Sequence, residues 1–212
     1  MDNTAKWWWY PCYFRKRFIF SMSPTCILLA AGNSQRFGSP KLLHPVAQQT
    51  PLILMTARLL QSVVKQLIIV VRPEDIALQT VVSAAGYHCL PCSEARLGMG
   101  HSLACGVRAS AGAEAWLVAL ADMPFIQVQT LQQLTAGLAQ GAALIAPFYQ
   151  GKRGHPVGFA RQFYPQLCQL TGDNGARTII EAHHAALVRV VCDDAGILQD
   201  IDTPADLPTA QK

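Results

Sequence analysis

The sequence predicts an α/β fold with a mostly parallel central sheet and helices on both of its faces. Three observations predict it. Short unbroken apolar runs, such as Leu67-Ile68-Ile69-Val70-Val71, read as strands buried on both sides, because a strand with one wet face would alternate polar and apolar residues. Segments of about a dozen residues with apolar positions at helical spacing lie between these runs. The two kinds of segment alternate along the chain, which is the pattern of successive βαβ units.

Taken in order, residues 25–31 form the first strand. Residues 51–64 form a helix opened by Pro51 and carrying Leu52, Leu54, Met55, Leu59, Leu60 and Val63. Residues 66–72 are the second strand, 73–85 a helix closed by Gly86, and 87–91 the third strand. A glycine-flanked helix covers 98–110, and the fourth strand 115–121. Residues 128–140 are a helix closed by Gly141, followed by a fifth strand over 142–149. After Tyr149 the regularity weakens. Residues 151–158 read as a hairpin or loop, 161–170 as a helix, 172–175 as a turn, 176–184 as a helix and 187–192 as a strand. Nothing between 25 and 207 repeats or looks like a linker, so residues 23–212 are expected to form one domain.

Composition narrows the function classes. With 212 residues, 51% of them hydrophobic, the chain can bury a sizeable core. A charged fraction of 14% argues against disorder over most of its length. The formal net charge is +4. Of the 17 basic and 13 acidic residues, Lys6, Arg15, Lys16, Arg17 and Asp2 fall within 1–22, which leaves 13 basic and 12 acidic residues for the body. The body thus lacks the basic excess of a nucleic-acid binder. Seven scattered cysteines suit the reduced thiols of a cytoplasmic protein. Cys89-Leu90-Pro91-Cys92 has the spacing of a zinc half-site or redox pair, but no second pair accompanies it, and the residues read as part of a strand. No apolar run approaches the roughly 18 residues that span a membrane. The opening Trp7-Trp8-Trp9-Tyr10 and the following Arg15-Lys16-Arg17 have the wrong order of charge and apolarity for a signal peptide. Residues 1–22 are expected to be an extension outside the fold, with Met22 a sensible start.

The chemistry is expected beyond the carboxyl ends of the strands, where parallel sheets bind ligands. The first strand stops at Gly32, and a polar loop with Arg36, Gly38 and Lys41 follows. Glycines let backbone N–H groups approach an anion, and the two cations supply charge, so the loop reads as a phosphate cradle. Its spacing is neither the dinucleotide fingerprint nor the Walker A loop. Asp122 ends the fourth strand on the same side. The residues alone allow a metal ligand there or a carboxylate that merely ends the strand. Asp202 is as open, since Thr203-Pro204-Ala205-Asp206 resembles a capping box that needs neither Asp202 nor Asp200.

The full string Leu28-Leu29-Ala30-Ala31-Gly32-Asn33-Ser34-Gln35-Arg36-Phe37-Gly38-Ser39-Pro40-Lys41 resembles the signature of nucleotidyltransferases with a Rossmann-like fold. Its Ala-Ala-Gly variant is similar to the molybdenum cofactor cytidylyltransferases, the MocA-like branch of the MobA-like NTP transferases. Further matches keep the family's order: Gly98-Met99-Gly100-His101-Ser102, Ala121-Asp122-Met123-Pro124, Gly154-His155-Pro156-Val157, Gly172-Asp173-Asn174-Gly175-Ala176-Arg177, and Asp200-Ile201-Asp202-Thr203-Pro204. The resemblance implies a nucleotide site formed by Leu29, Ala30, Ala31, Gly32, Ser34, Arg36, Lys41, Gly100 and Ser102. It implies catalytic roles for Arg36, Lys41 and Asp122, and Mg²⁺ on Asp122 and Asp202 with Asp200 as the fallback. It implies an acceptor site of Arg153, Gly154, His155, Pro156, Asp173 and Arg177. The implied reaction transfers CMP from CTP to a molybdopterin-type cofactor and releases pyrophosphate. The implied recipient is a molybdenum hydroxylase of the xanthine dehydrogenase type. GTP, another phosphorylated acceptor, and a non-catalytic cofactor chaperone remain the alternatives.

Overall fold

The structure, a computed structural model, describes residues 23–32, 37–46 and 49–207. The expected extension over 1–22 and the expected site residues Ser34 and Arg36 lie outside the described residues. One sheet of eight strands runs through the protein: β1 (Thr25–Leu29), β2 (Gln66–Val71), β3 (His88–Pro91), β4 (Ala115–Leu120), β5 (Leu144–Tyr149), β6 (Lys152–Arg153), β7 (Val157–Ala160) and β8 (Leu187–Val191). Its order is β3-β2-β1-β4-β7-β5-β6, with β8 also paired to β5. Strands β3, β2, β1 and β4 are mutually parallel.

The helices are α1 (Leu52–Gln61), α2 (Ile76–Ala84), α3 (Met99–Ala109), α4 (Val128–Ala139), α5 (Tyr164–Cys168) and α6 (Arg177–Ala182). Alternation along β1 divides the core into two layers. Cys26 and Leu28 pack with α1, α2 and α4 on one face. Ile27 and Leu29 pack with α3, α5 and α6 on the other. Trp116 on β4 is fully buried, and its indole N–H donates to Ser110 Oγ at 2.9 Å. The same alternation separates the cysteines of the C-x-x-C. Cys89 packs against the first layer and Cys92 is buried in the second, so the pair forms no common site.

The carboxyl-terminal half departs from a simple parallel sheet. Gln150 and Gly151, at φ of 48° and 79°, turn the chain tightly, as a two-residue hairpin with both central residues left-handed requires. The returning chain pairs antiparallel with β5 as β6, breaks at Gly154-His155-Pro156, and continues as β7. Strand β7 lies between β4 and β5 and is antiparallel to both. Residues 161–170 form a short 3-10 turn and the five-residue α5 instead of one continuous helix. Among the described residues no helix is long and apolar enough to cross a membrane.

Gly158 makes close packing possible where β7 meets α4. A Cβ there would lie 2.6 Å from Ile145 Cγ2 and 2.9 Å from Leu138 Cδ1. Gly158→Ala is therefore expected to cost about 1–3 kcal/mol of stability through overpacking, read as a lowered midpoint in urea unfolding.

Candidate active site

Four elements meet beyond the carboxyl ends of β1, β2 and β4. The ladder extends slightly past the strands: Ala30 N donates to Val70 O at 2.9 Å, and Ala121 N donates to Leu29 O at 3.1 Å. The chain then leaves the sheet at Gly32 and at Asp122. Among the described residues no heavy atom lies within 4 Å of where a Cβ on Gly32 would be, so these leave room for a ligand there. Gly38, at φ +73°, holds a left-handed turn that suits glycine. Phe37 and Leu42 are buried in the core and anchor this part of the loop. Lys41 begins a short 3-10 turn between them and is itself only 8% exposed.

Lys41 does not project free into the cleft. Its Nζ donates to Asp122 Oδ2 at 2.9 Å and to Asp202 Oδ1 at 3.1 Å. Burial alone would lower the ammonium's pKa, but the hydrogen bonds and charges of these two carboxylates outweigh it and raise the pKa above its ordinary value. A carboxylate oxygen from each of Asp122, Asp200 and Asp202 lies within 4.8 Å of the others. Asp122 Oδ1 is buried with no hydrogen-bond partner. An oxygen-only cluster with an orphaned carboxylate oxygen fits a hard divalent cation such as Mg²⁺. Asp200 and Asp202 both belong to this cluster.

A strap over residues 194–206 brings these carboxylates in. Asp194 is buried, and its carboxylate accepts from Gln127 N (2.9 Å), Thr130 Oγ1 (2.6 Å) and Gly196 N (3.0 Å). It thereby caps the start of α4 and holds the strap to it. Further along, Ile197 O accepts from His155 N at 3.0 Å, and Ile201 N donates to Asp122 O at 2.9 Å. The strap ends in the expected capping box, in which Asp206 Oδ2 accepts from Thr203 N and Thr203 Oγ1. Asp194 carried no signal in the sequence beyond a short polar turn.

Two cavities open on this region. The larger, about 760 Å³, is lined by Leu29, Ala31, Gly32, Ser102, Asp122 and Asp200, among others. The start of α3 also faces it through Gly98 and Met99, so the positive end of a helix dipole is turned toward the cleft. Arg72, at the end of β2, lines it too and went unassigned in the sequence. A cation directly after a buried strand was the signal that could have found it. Ala30 lines a neighbouring cavity on the other side of the glycine loop. Gly100 lies behind the wall: its N–H donates to Gly172 O at 2.7 Å, and a Cβ there would be 2.6 Å from Thr171 O.

The smaller cavity, about 280 Å³, gathers Arg153, His155, Asp173 and Arg177 over an apolar floor that includes Val118 and Phe159. Leu29, Met99, Leu120 and Asp173 line both cavities and form their common wall. Gly154 and Pro156 are buried beneath His155, and the peptide between His155 and Pro156 is cis. Burial, together with the like charge of Arg177, holds the Arg153 guanidinium below its ordinary pKa. Two neighbouring guanidiniums, one of them half-buried, suit an anionic group on a bound molecule. Arg177 also pairs with Glu181 at 2.7 Å.

A glycine loop, a carboxylate cluster and two adjoining cavities at the carboxyl ends of parallel strands suit a nucleotidyltransferase. Residues 26–187 match the MobA-like NTP transferase domain, and the chain belongs to that family. It is 33% identical to the purine catabolism protein PucB of Bacillus subtilis over 192 residues, covering 85% of this chain and 92% of PucB. It is 27% identical to the nicotine blue oxidoreductase of Paenarthrobacter nicotinovorans over 187 residues, covering 84% and 92%. Among solved structures, Rv0371c of Mycobacterium tuberculosis superposes with a TM-score of 0.76 at 24% identity over 87% of this chain and 95% of that one. A manganese complex of the same protein gives 0.71 at 23% identity, with the same coverage. The molybdopterin-guanine dinucleotide biosynthesis protein A of Archaeoglobus fulgidus gives 0.61 at 18% identity over 86% and 94% of the two chains. At these identities the structures establish the shared fold.

The buried imidazole of His155 makes a pH dependence. Burial, and then the charge of Arg153, lower its pKa from 6.5 to about 4. The unfolded chain takes up the proton near 6.5 and the folded chain only near 4, so falling pH between those values favours unfolding. Stability is expected to drop across that window by at most about 3 kcal/mol. Urea unfolding at pH 7.5, 5.5 and 4.5 checks this, and His155→Gln should flatten the difference.

Proposed function

We propose that the protein transfers CMP from CTP to a molybdopterin-type molybdenum cofactor, forming the cytosine dinucleotide cofactor and pyrophosphate. The observation that carries this reading is the juxtaposition of the two cavities. One holds the glycine loop and the carboxylate cluster, the other holds Arg153, His155, Asp173 and Arg177, and they share a wall. A triphosphate in the first and a phosphorylated acceptor in the second would meet beside Asp122. Family membership supports nucleotidyl transfer, and the name of the Archaeoglobus protein associates the fold with dinucleotide forms of molybdopterin. Ala31 in the place of a second glycine supports CTP over GTP, by resemblance to the cytidylyltransferase branch.

The protein's part in such a transfer is alignment and charge stabilisation, not covalent catalysis. A terminal phosphate oxygen of the acceptor attacks the α-phosphorus. The new oxygen–phosphorus bond forms as the bond to the β-phosphate oxygen breaks, and pyrophosphate carries away the electron pair. Gly32 and its neighbours cradle the triphosphate with backbone N–H groups, and Lys41 with Arg36 offsets the charge on the leaving group. Ser102 and the start of α3 close the other side. Arg153 and Arg177 hold the acceptor's phosphate, Asp173 lies at the junction, and His155 lines the acceptor's pocket.

Asp122, Asp200 and Asp202 would hold Mg²⁺, the manganese complex of Rv0371c being a precedent in this fold for a divalent ion. Bound there, the ion would polarise the phosphate oxygens and neutralise developing charge. A recipient of the xanthine dehydrogenase type fits the name of PucB, which places that relative in purine catabolism, and a cytoplasmic location fits the reduced-thiol composition.

The reading is tested by supplying Mg²⁺, molybdopterin cofactor and each labelled nucleoside triphosphate, and measuring pyrophosphate release and dinucleotide formation. Turnover is expected with CTP, and Asp122→Asn should slow it by about a hundredfold or more. Turnover with GTP and none with CTP would overturn the cytidylyl assignment.

A further inference from the structure

We propose that Lys41 is an internal counter-ion that guards the carboxylate cluster. Its ammonium holds Asp122 and Asp202 until an incoming triphosphate offers it a new partner, and its departure opens Asp122 Oδ2 to a divalent cation. The inference rests on the metal-site reading above and deepens it.

The geometry sets a competition. Asp122 and Asp202 supply two of the three carboxylates of the cluster, and both already accept from Lys41 Nζ, at 2.9 and 3.1 Å. Charge-assisted bonds of this kind are the strong ones, and a cation entering the cluster competes with the ammonium for the negative charge of the same carboxylates. Lys41 is also poorly placed to leave without compensation. Its side chain is 11% exposed, and an ammonium held in such a place without a partner is costly.

The same geometry supplies the release. The backbone at Lys41 is fixed by Phe37 and Leu42 in the core, so the flexible four-carbon stem is the part that moves. The loop that carries Lys41 begins at Gly32, which lines the cleft together with Asp122 and Asp200. A triphosphate cradled at Gly32 would therefore present its oxygens to the ammonium from the cleft side. Moving from carboxylates to phosphates keeps the ammonium paired while it gives up Asp122 Oδ2 to the cation. Metal and triphosphate would then favour each other's binding, and by linkage the favour is mutual.

The role predicts an effect opposite to that of an ordinary site cation: removing the positive charge should strengthen the binding of bare metal. The experiment titrates the full chain with Mn²⁺ alone at pH 7.5 and follows free Mn²⁺ by electron paramagnetic resonance. Lys41→Met is expected to bind Mn²⁺ about tenfold more tightly than the native protein, the equivalent of one strong charge-assisted bond removed from the competition. Lys41→Arg keeps the charge and should stay within about threefold of native. Adding an α,β-methylene analogue of CTP should tighten Mn²⁺ binding to the native protein by a larger factor than to Lys41→Met.

Unchanged or weaker Mn²⁺ binding by Lys41→Met would overturn the proposal. If circular dichroism shows that variant unfolded, Lys41→Gln carries the same expectation. Absence of Mn²⁺ binding in native and variant alike, with the analogue present, would overturn the metal reading and this role with it. Tighter binding by Lys41→Met in a protein that fails the nucleotide panel would support the lysine's role while the CTP assignment fell.

Discussion

Three carboxylates within 4.8 Å of one another, in a half-buried place, repel strongly unless a cation lies among them. The rest of the site is arranged around that constraint. Asp122 reaches the place from the sheet, at the end of β4. Asp200 and Asp202 reach it from the last described segment of the chain. Lys41 reaches it from the loop after β1, through the core anchors on either side of it. No two of these contributions are close in sequence, and the hydrogen bond between Ile201 N and Asp122 O joins the second to the first. Asp194 keeps that junction in register by tying the strap to the start of α4.

The sheet explains why the ligands converge at one end. Parallel strands β3, β2, β1 and β4 deliver all their carboxyl ends to the same side, so every exit from that half of the sheet borders the cleft. The glycine loop, Arg72 and Asp122 are three such exits. The smaller cavity is built differently. It borrows its floor from β4 and β7 and its rim from the interruption between β6 and β7 and from the loop leading into α6. The two cavities thus arise from two kinds of strand connection, crossovers on one side and a broken hairpin on the other.

Much of this was legible in the sequence. Strands β1, β2, β4 and β5 are double-sided apolar runs, and such runs have few other readings; the edge strand β3 is more exposed. The glycine loop and Asp122 stood out because polar residues end those runs abruptly. Trp116 lies in the core, as a large aromatic at the head of a buried strand must. The antiparallel β7 was not legible as such, because Val157–Ala160 is too short for its pattern to reveal direction. Neither was the partner of Lys41. A lysine between a glycine loop and a helix reads as a free phosphate ligand, and only the folded strap brings Asp202 to it across 161 positions. Asp194 illustrates the same limit: its value comes from Gln127 and Thr130, which nothing local to it announces.

The placement of β7 has a consequence for how the protein comes into being. The parallel half of the sheet is complete once Leu120 has left the ribosome, since all its strands precede that point. Strand β5 has no partner in that half; it joins only through β7, which is made after it. The tight turn at Gln150-Gly151 brings the chain back so that β7 can lie between β4 and β5. The pocket bearing Arg153 and His155 gains its floor from β7 and is closed by the later residues 173–177. The parallel half of the sheet thus precedes β7 by the time it takes to synthesise some forty residues, while the carboxylate cluster waits for the strap that brings Asp200 and Asp202.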